Sequence, residues 1–214
     1  MRSRRRKSDG HPARPLFRAD RMTGSVDLGI GGQTAFPGDH VAYFWETSEQ
    51  FLAAVEFLAV GLAGGDHCVI FGYDEANARV YSSLESRFDC RSLEERGQLV
   101  LLGGDVSGAE MLRTIAADFQ QALSGGAKML RLLGNIGWGR PGWPDQRSIL
   151  EFEAKVTDAV RDVPAVVVCM YDVRNAGGEI ILHGAFETHP ITICRNILRE
   201  NPHFVTPAEF IASM

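Results

Sequence analysis

The chain has 214 residues, 45% hydrophobic and 23% charged, proportions that exclude a wholly disordered or fibrous protein. At about 150 residues per domain, one domain with a small appendage is expected. The formal net charge is −5, but residues 1–22 hold eight basic and two acidic side chains, leaving −11 on the remainder. A body this acidic is not expected to bind nucleic acid broadly. No apolar run reaches the roughly 18 residues of a membrane-spanning helix, so no membrane partner is expected.

Residues 1–22 (MRSRRRKSDGHPARPLFRADRM) are too polar to form a core. They are read as a solvated tail, a basic arm for nucleic acid or anionic lipid, a transit peptide, or an upstream extension of a start at Met22. Residues 23–38 add five glycines without periodicity, so 1–38 is expected to be a disordered leader and order to begin near Asp39. The four cysteines, Cys68, Cys90, Cys169 and Cys194, lack the CxxC spacing of a zinc or redox site. Cys68 and Cys169 sit in apolar runs and read as buried small hydrophobes in a reducing cytoplasm.

From residue 40 short apolar runs alternate with helical patterns. HVAYFW (40–45) reads as a strand. A helix near 48–63 follows, with Phe51, Val55, Leu58 and Leu62 in one stripe and Gly64-Gly65 as its stop. HCVIFGY (67–73) is a second strand, and Asp74 is expected to cap a helix running to about 86. LVLLG (99–103), a helix at 109–123 and KMLRLLG (128–134) continue the alternation. A helix at 147–162 leads to PAVVVCMYD (164–172), apolar enough to be buried on both faces. EIILHG (179–184) and PITIC (190–194) read as further strands, and 207–213 as a terminal helix. The expected fold is α/β, a mostly parallel central sheet with helices on both faces. Ligands of such folds bind at the C-terminal edge of the sheet. Here that edge is built by Trp45, Glu46, Thr47 and Ser48, by Tyr73-Asp74, by 135–143, and by Tyr171-Asp172.

The first strand-to-helix turn, WETSEQ, has none of the glycines that let a backbone approach phosphate, and GxxxxGK[ST] occurs nowhere. GIGGQT (29–34) precedes the first strand and opens no helix. Gly-x-Ser-x-Gly and HExxH are also missing. The chain is therefore expected not to be an enzyme and to carry no cofactor. Thr47 or Ser48 remains able to cap the first helix, alone or with a small anion.

Two charges interrupt apolar patterns. Glu153 lies in the Ile149, Val156, Val160 stripe, whereas Glu151 points about 200° away. Arg131 sits inside KMLRLLG. A buried charge needs a partner, and an Arg131–Glu153 pair is the economical expectation, either structural or lining a pocket. Trp138 and Trp143 flank GRPG as an aromatic lid, a partner surface or a core tuck, with Arg140 free to stack on either. His40, His67, His183 and His189 share no tight spacing with a carboxylate or cysteine, so they are expected to be satisfied or exposed and no metal site is expected. Pro190 holds His189 extended at the start of the last strand.

Together, HVAYFWETSEQFLAAVEFLAVGLAGGDHCVIF, LRLLGNIGW, LEFEAKV, VVVCMYD and THP, in this order and spacing, resemble the MEDS domain, a sensory domain of methanogen and methylotroph proteins of the DcmR type. The resemblance covers residues 39–214. It implies a RecA-like or KaiC-like core without a P-loop, with Glu46-Thr47-Ser48 at the degenerate phosphate-loop position. It also implies sensing of a small organic compound and signalling to transcription or to a regulatory protein. His40, Arg131, Trp138, Glu151, Glu153, Tyr171, Asp172 and His189 match its motif positions. A helix-turn-helix is not evident, so a stand-alone sensory module is expected. The leading expectation is a non-enzymatic domain binding a small organic ligand or signalling partner at the sheet edge, with homo-oligomerisation left open. The alternatives are a diverged nucleotide-binding module, an interaction domain of a sigma-factor or histidine-kinase pathway, and a hydrolase using Asp172, His189 and a cysteine.

Overall fold

The structure is a computed structural model and describes residues 24–105 and 107–214. The basic arm at 1–22 lies outside the described residues. The elements in chain order are β1 (Val26–Asp27), β2 (Thr34–Ala35), β3 (His40–Trp45), α1 (Ser48–Gly64), β4 (His67–Gly72), α2 (Asp74–Glu85) and α3 (Cys90–Glu95). There follow β5 (Leu99–Leu102), α4 (Gly108–Ser124), β6 (Leu130–Asn135), α5 (Gln146–Val160) and β7 (Ala165–Asp172). A π-helix (Ile180–Phe186), β8 (Ile191–Cys194), β9 (Ile197–Glu200) and α6 (Pro207–Ser213) complete it.

Seven strands form one sheet in the order β5-β4-β6-β7-β3-β8-β9, parallel except for the β8–β9 hairpin. The period-two alternation of the strands divides the core. Val41, Tyr43, Ile70, Leu133, Val166 and Val168 face α1 and α2. Ala42, Val69, Leu130, Leu132, Val167 and Cys169 face α4 and α5. β7 is buried along nearly its whole length because helices cover both of its faces. Each fully buried Val there contributes about 1.5–3 kcal/mol.

Four expectations are corrected. First, order begins well before Asp39. β1 and β2 form a hairpin that buries Val26, Leu28, Ile30 and Ala35 in the α1-side core. The loop of that hairpin is tied to the far edge of the sheet, where Leu198 N donates to Gln33 Oε1 at 3.1 Å. Second, 179–184 is not a strand. A helical turn instead buries Gly184 and Ala185 and packs Gly184 against the Trp138 ring. Third, Tyr73 rather than Asp74 is the N-cap of α2 and supplies no side-chain hydrogen bond.

The fourth correction concerns Arg131 and Glu153, which do not meet. On β6, Leu130 and Leu132 point to the α5 side, so Arg131 between them must point to the α1 side. Its Nε donates to Asp66 Oδ2 at 2.7 Å, and its Nη1 donates to the carbonyls of Asp27 (2.7 Å) and Phe57 (3.0 Å). Gly61 of α1 makes room for it: a Cβ there would lie 2.4 Å from Arg131 Cδ. Arg131 is thus a structural clasp joining the amino-terminal hairpin, α1 and the loop before β4.

Candidate functional site

Glu153, on the inner face of α5, sits above β7 and the start of β3. Four fully buried side chains converge there: His40 from the first residue of β3, Glu153 from α5, Cys169 from the middle of β7, and His189 from the turn before β8. One donor atom from each lies within 4.8 Å of all the others. His40 Nε2 is 3.4 Å from Cys169 Sγ and 3.6 Å from Glu153 Oε2. His189 Nε2 is 3.7 Å from Glu153 Oε2, and Cys169 Sγ is 3.6 Å from the same oxygen. The two imidazole rings lie 3.8 Å apart, centroid to centroid.

The outer partners fix the tautomers. Thr157 Oγ1 donates to the Thr188 carbonyl at 2.8 Å, so it accepts from His40 Nδ1, also at 2.8 Å. His189 Nδ1 lies 3.0 Å from the Ala185 carbonyl, a pure acceptor, and so carries the proton. Both Nε2 lone pairs therefore point into the cluster. His189 Nε2 has no hydrogen-bond partner among the described residues.

Burial sets the protonation states. It lowers the His40 pKa well below the ordinary value, with the neighbouring His189 adding to the effect. It takes His189 down to about 3, against the opposing Ala185 and Gly184 carbonyls. It raises Glu153 to about 8, against hydrogen bonds from Tyr171 and Cys169, and pushes the Cys169 thiol up. At neutral pH the close His–Glu contacts join neutral groups and are not ion pairs. Tyr171 completes the cluster, its hydroxyl 3.0 Å from Glu153 Oε1 and 2.6 Å from the Gly184 carbonyl.

Beside the cluster lies a cavity of about 200 Å³ under α4 and α5. Ile115, Phe119, Phe152 and Val156 close it from the helices, Leu132 and Val167 floor it, and Cys169 connects it to the cluster.

Residues 39–190 match a family described as MEDS, the methanogen/methylotroph DcmR sensory domain. The chain belongs to the MEDS family. A curated relative of this MEDS domain is the transcriptional repressor DcmR of Methylorubrum extorquens, 26% identical over 185 residues, which are 85% of this chain and 69% of the repressor. The family and this relative make the role a regulatory, sensory one. A solved KaiC-like protein from the archaeon Pyrococcus horikoshii aligns with a TM-score of 0.56 and 18% identity, covering 79% of each chain. That likeness fixes the fold as RecA/KaiC-like.

The MEDS domain brings only some of the expected site residues together. His40, Glu153, Tyr171 and His189 meet in the cluster. Arg131 lies across the sheet. Glu151 is on the outer flank of α5, paired with Lys155. Asp172 caps the turn after β7 through Arg174 N at 3.0 Å and Asn175 Nδ2 at 2.7 Å. Trp143 presses flat on Gly104 and Gly137 and meets Phe71 edge-on. Arg140 stacks on Tyr73, 3.6 Å from its ring centroid, and on neither tryptophan. Trp45 packs edge-on against Phe51, with Arg79 over its ring. Glu46, Thr47 and Ser48 follow β3, which is separated from β4 by two strands. At about 4.8 Å per strand they stand some 14 Å from the Tyr73 group, so the edge residues do not form one pocket. The histidine expectation is corrected too: a carboxylate and a cysteine do accompany His40 and His189. Cys169 and Thr157 were missed; their only sequence signal is a polar or ionisable side chain on a buried face.

The degenerate phosphate-loop position is filled by a capping box. Thr47 Oγ1 accepts from Gln50 N, and Gln50 Oε1 accepts from the backbone N–H of Glu46 (2.7 Å) and Thr47 (3.3 Å). The amides of Glu46, Thr47 and Gln50 are thus engaged by the chain itself. Magnesium-dependent ATP turnover is expected to be at background in a phosphate-release assay. Turnover that is abolished by Thr47→Ala would contradict this.

Proposed function

We propose that this MEDS domain is a non-enzymatic sensor that binds a small, mostly apolar organic molecule and reports its occupancy to a regulatory protein partner in the cytoplasm. The apolar cavity under α4 and α5 carries this reading. An apolar cavity of about 150 Å³ already holds a benzene-sized molecule, so about 200 Å³ suits a ligand of a few to about ten heavy atoms. Phe71 and Ile136 bring the cavity to the C-terminal ends of β4 and β6, so the ligand sits beneath the sheet edge instead of on it. Occupancy would bear on α4 and α5, and through them on the exposed face of α4.

The test is a thermal-shift screen with benzene, toluene, cyclohexane and short alcohols. A ligand at about 100 times its Kd stabilises the native state by about 2.7 kcal/mol. At about 2–4 °C per kcal/mol, this raises Tm by about 5–10 °C. Ala116→Phe, from the cavity wall, should abolish the rise while the variant stays folded by circular dichroism. No shift with any probe, or equal shifts in wild type and variant, would exclude the cavity as the sensory site.

A further inference from the structure

We infer that His40 Nε2, His189 Nε2, the Glu153 carboxylate and the Cys169 thiolate form a closed four-ligand site for a divalent transition metal of the zinc class. This rests on the cluster alone and stands or falls independently of the cavity.

The spacing of the donors supports it. Bonds of about 2.0–2.3 Å to nitrogen, oxygen and sulfur at tetrahedral angles place neighbouring ligand atoms about 3.3–3.8 Å apart. The separations here are 3.4 Å for His40–Cys169, 3.6 Å for His40–Glu153, 3.6 Å for Cys169–Glu153 and 3.7 Å for His189–Glu153. The remaining pairs lie within 4.8 Å, so closing the tetrahedron needs shifts of about 1 Å.

The outer partners are those a metal site requires. Each histidine donates its Nδ1 proton outward, to Thr157 Oγ1 or the Ala185 carbonyl, and so presents Nε2 as a lone pair. The orphaned nitrogen points the same way. His189 Nε2 is fully buried and unpartnered among the described residues, a desolvation cost that a folded core does not usually leave uncompensated. At 3.7 Å, Glu153 is too far to satisfy it with a hydrogen bond. Charge favours the same assignment. Two anionic ligands and two neutral imidazoles balance a dication, giving a buried centre with no net charge. The mixed N, O and S donors suit zinc and its neighbours, not magnesium or calcium. With four protein ligands and no open position the site is structural. It would tie β3, α5, β7 and the turn before β8.

The experiment uses the full chain, stripped with EDTA and given Co2+ both in the folded state and during refolding from urea, because the site is buried. Binding of one Co2+ per chain, with tetrahedral d–d absorption, a thiolate-to-cobalt charge-transfer band and a raised Tm, is the expected result. Cys169→Ser should lose the charge-transfer band, and His189→Gln should lose binding. Thr157→Val, which removes only the outer partner, should weaken affinity about 10- to 100-fold. A wild-type chain that takes up no Co2+ or Zn2+ under either condition would overturn the assignment. So would uptake with the same spectrum in Cys169→Ser and His189→Gln, which would place the metal on exposed groups such as Cys194. Because wild type alone can refute the site, poor folding of a variant does not shield it.

Discussion

Replacing Arg131 with Met is expected to destabilise the fold by about 3–5 kcal/mol, measured by urea unfolding. The guanidinium is almost fully buried and has three partners: the Asp66 carboxylate and the carbonyls of Asp27 and Phe57. Met fills much of the volume but donates no hydrogen bond. Asp66 keeps some solvent contact and can partly rehydrate; the Phe57 carbonyl cannot. The sharper prediction is the pattern of coupling. Arg131→Met and Asp66→Leu should be strongly non-additive, because each leaves the other partner stranded. Arg131→Met and Glu153→Leu should add to within about 0.5 kcal/mol, because the sheet lies between them and they share no partner. A coupling to Glu153 well above that, or a loss under about 1 kcal/mol for Arg131→Met, would show that the clasp is not formed as described.

Gly38→Ala should cost about 2–5 kcal/mol, a large loss for one added methyl group. Gly38 has a φ of +91°, and a Cβ there would lie 2.4 Å from the carbonyl oxygen of Arg161 at the end of α5. Its own N–H donates to the Ala165 carbonyl at 2.7 Å, so the backbone is held from both sides. Left-handed backbone costs a residue with a Cβ about 1–2 kcal/mol, and the forced contact about 1–3 kcal/mol more. Gly32→Ala is the control. Its φ is +71°, but a Cβ there would meet nothing within 4 Å, so only the conformational part should appear. If residues 24–38 were a loose leader, both substitutions would be silent. Equal, small Tm changes in the two variants would return that reading.

An apolar cavity, a buried cluster and a capped phosphate-loop position fit together physically. A RecA/KaiC-like sheet supplies rigid strands and two helical layers. With Glu46-Thr47-Ser48 in place of a glycine loop, the Gln50 side chain takes the backbone amides of Glu46 and Thr47. The apolar cavity lies between α4, α5 and the sheet. The cluster anchors β3, α5 and β7 next to that space.

Much of the fold was legible without coordinates. The apolar strand β7, the Phe51, Val55, Leu58, Leu62 stripe of α1 and the strand–helix alternation follow from hydrophobic periodicity, which acts locally. Their meaning, a mostly parallel sheet covered on both faces, follows from the short reach of the connections. The amino-terminal hairpin was less legible, because glycines mask the alternation of Val26, Leu28 and Ile30, whose burial depends on α1 being in place. Ile180 and Ile181 read as strand residues, yet their turn is helical because it packs under Trp138.

For the site, the sequence by itself marked Glu153 and Arg131 as charges in need of partners, and singled out His40, Tyr171 and His189. It did not determine who pairs with whom. That depends on which face of β6 and β7 each side chain occupies, a parity decided by strand register and by which helix crosses which face. Arg131 turns toward α1 because Leu130 and Leu132 on either side of it turn toward α5. Glu153 then meets His40, Cys169 and His189, residues 113, 16 and 36 positions away along the chain. Such spacings have no local signature: the cluster exists only because β3 and β7 are neighbours in the sheet and the turn before β8 returns His189 beneath α5.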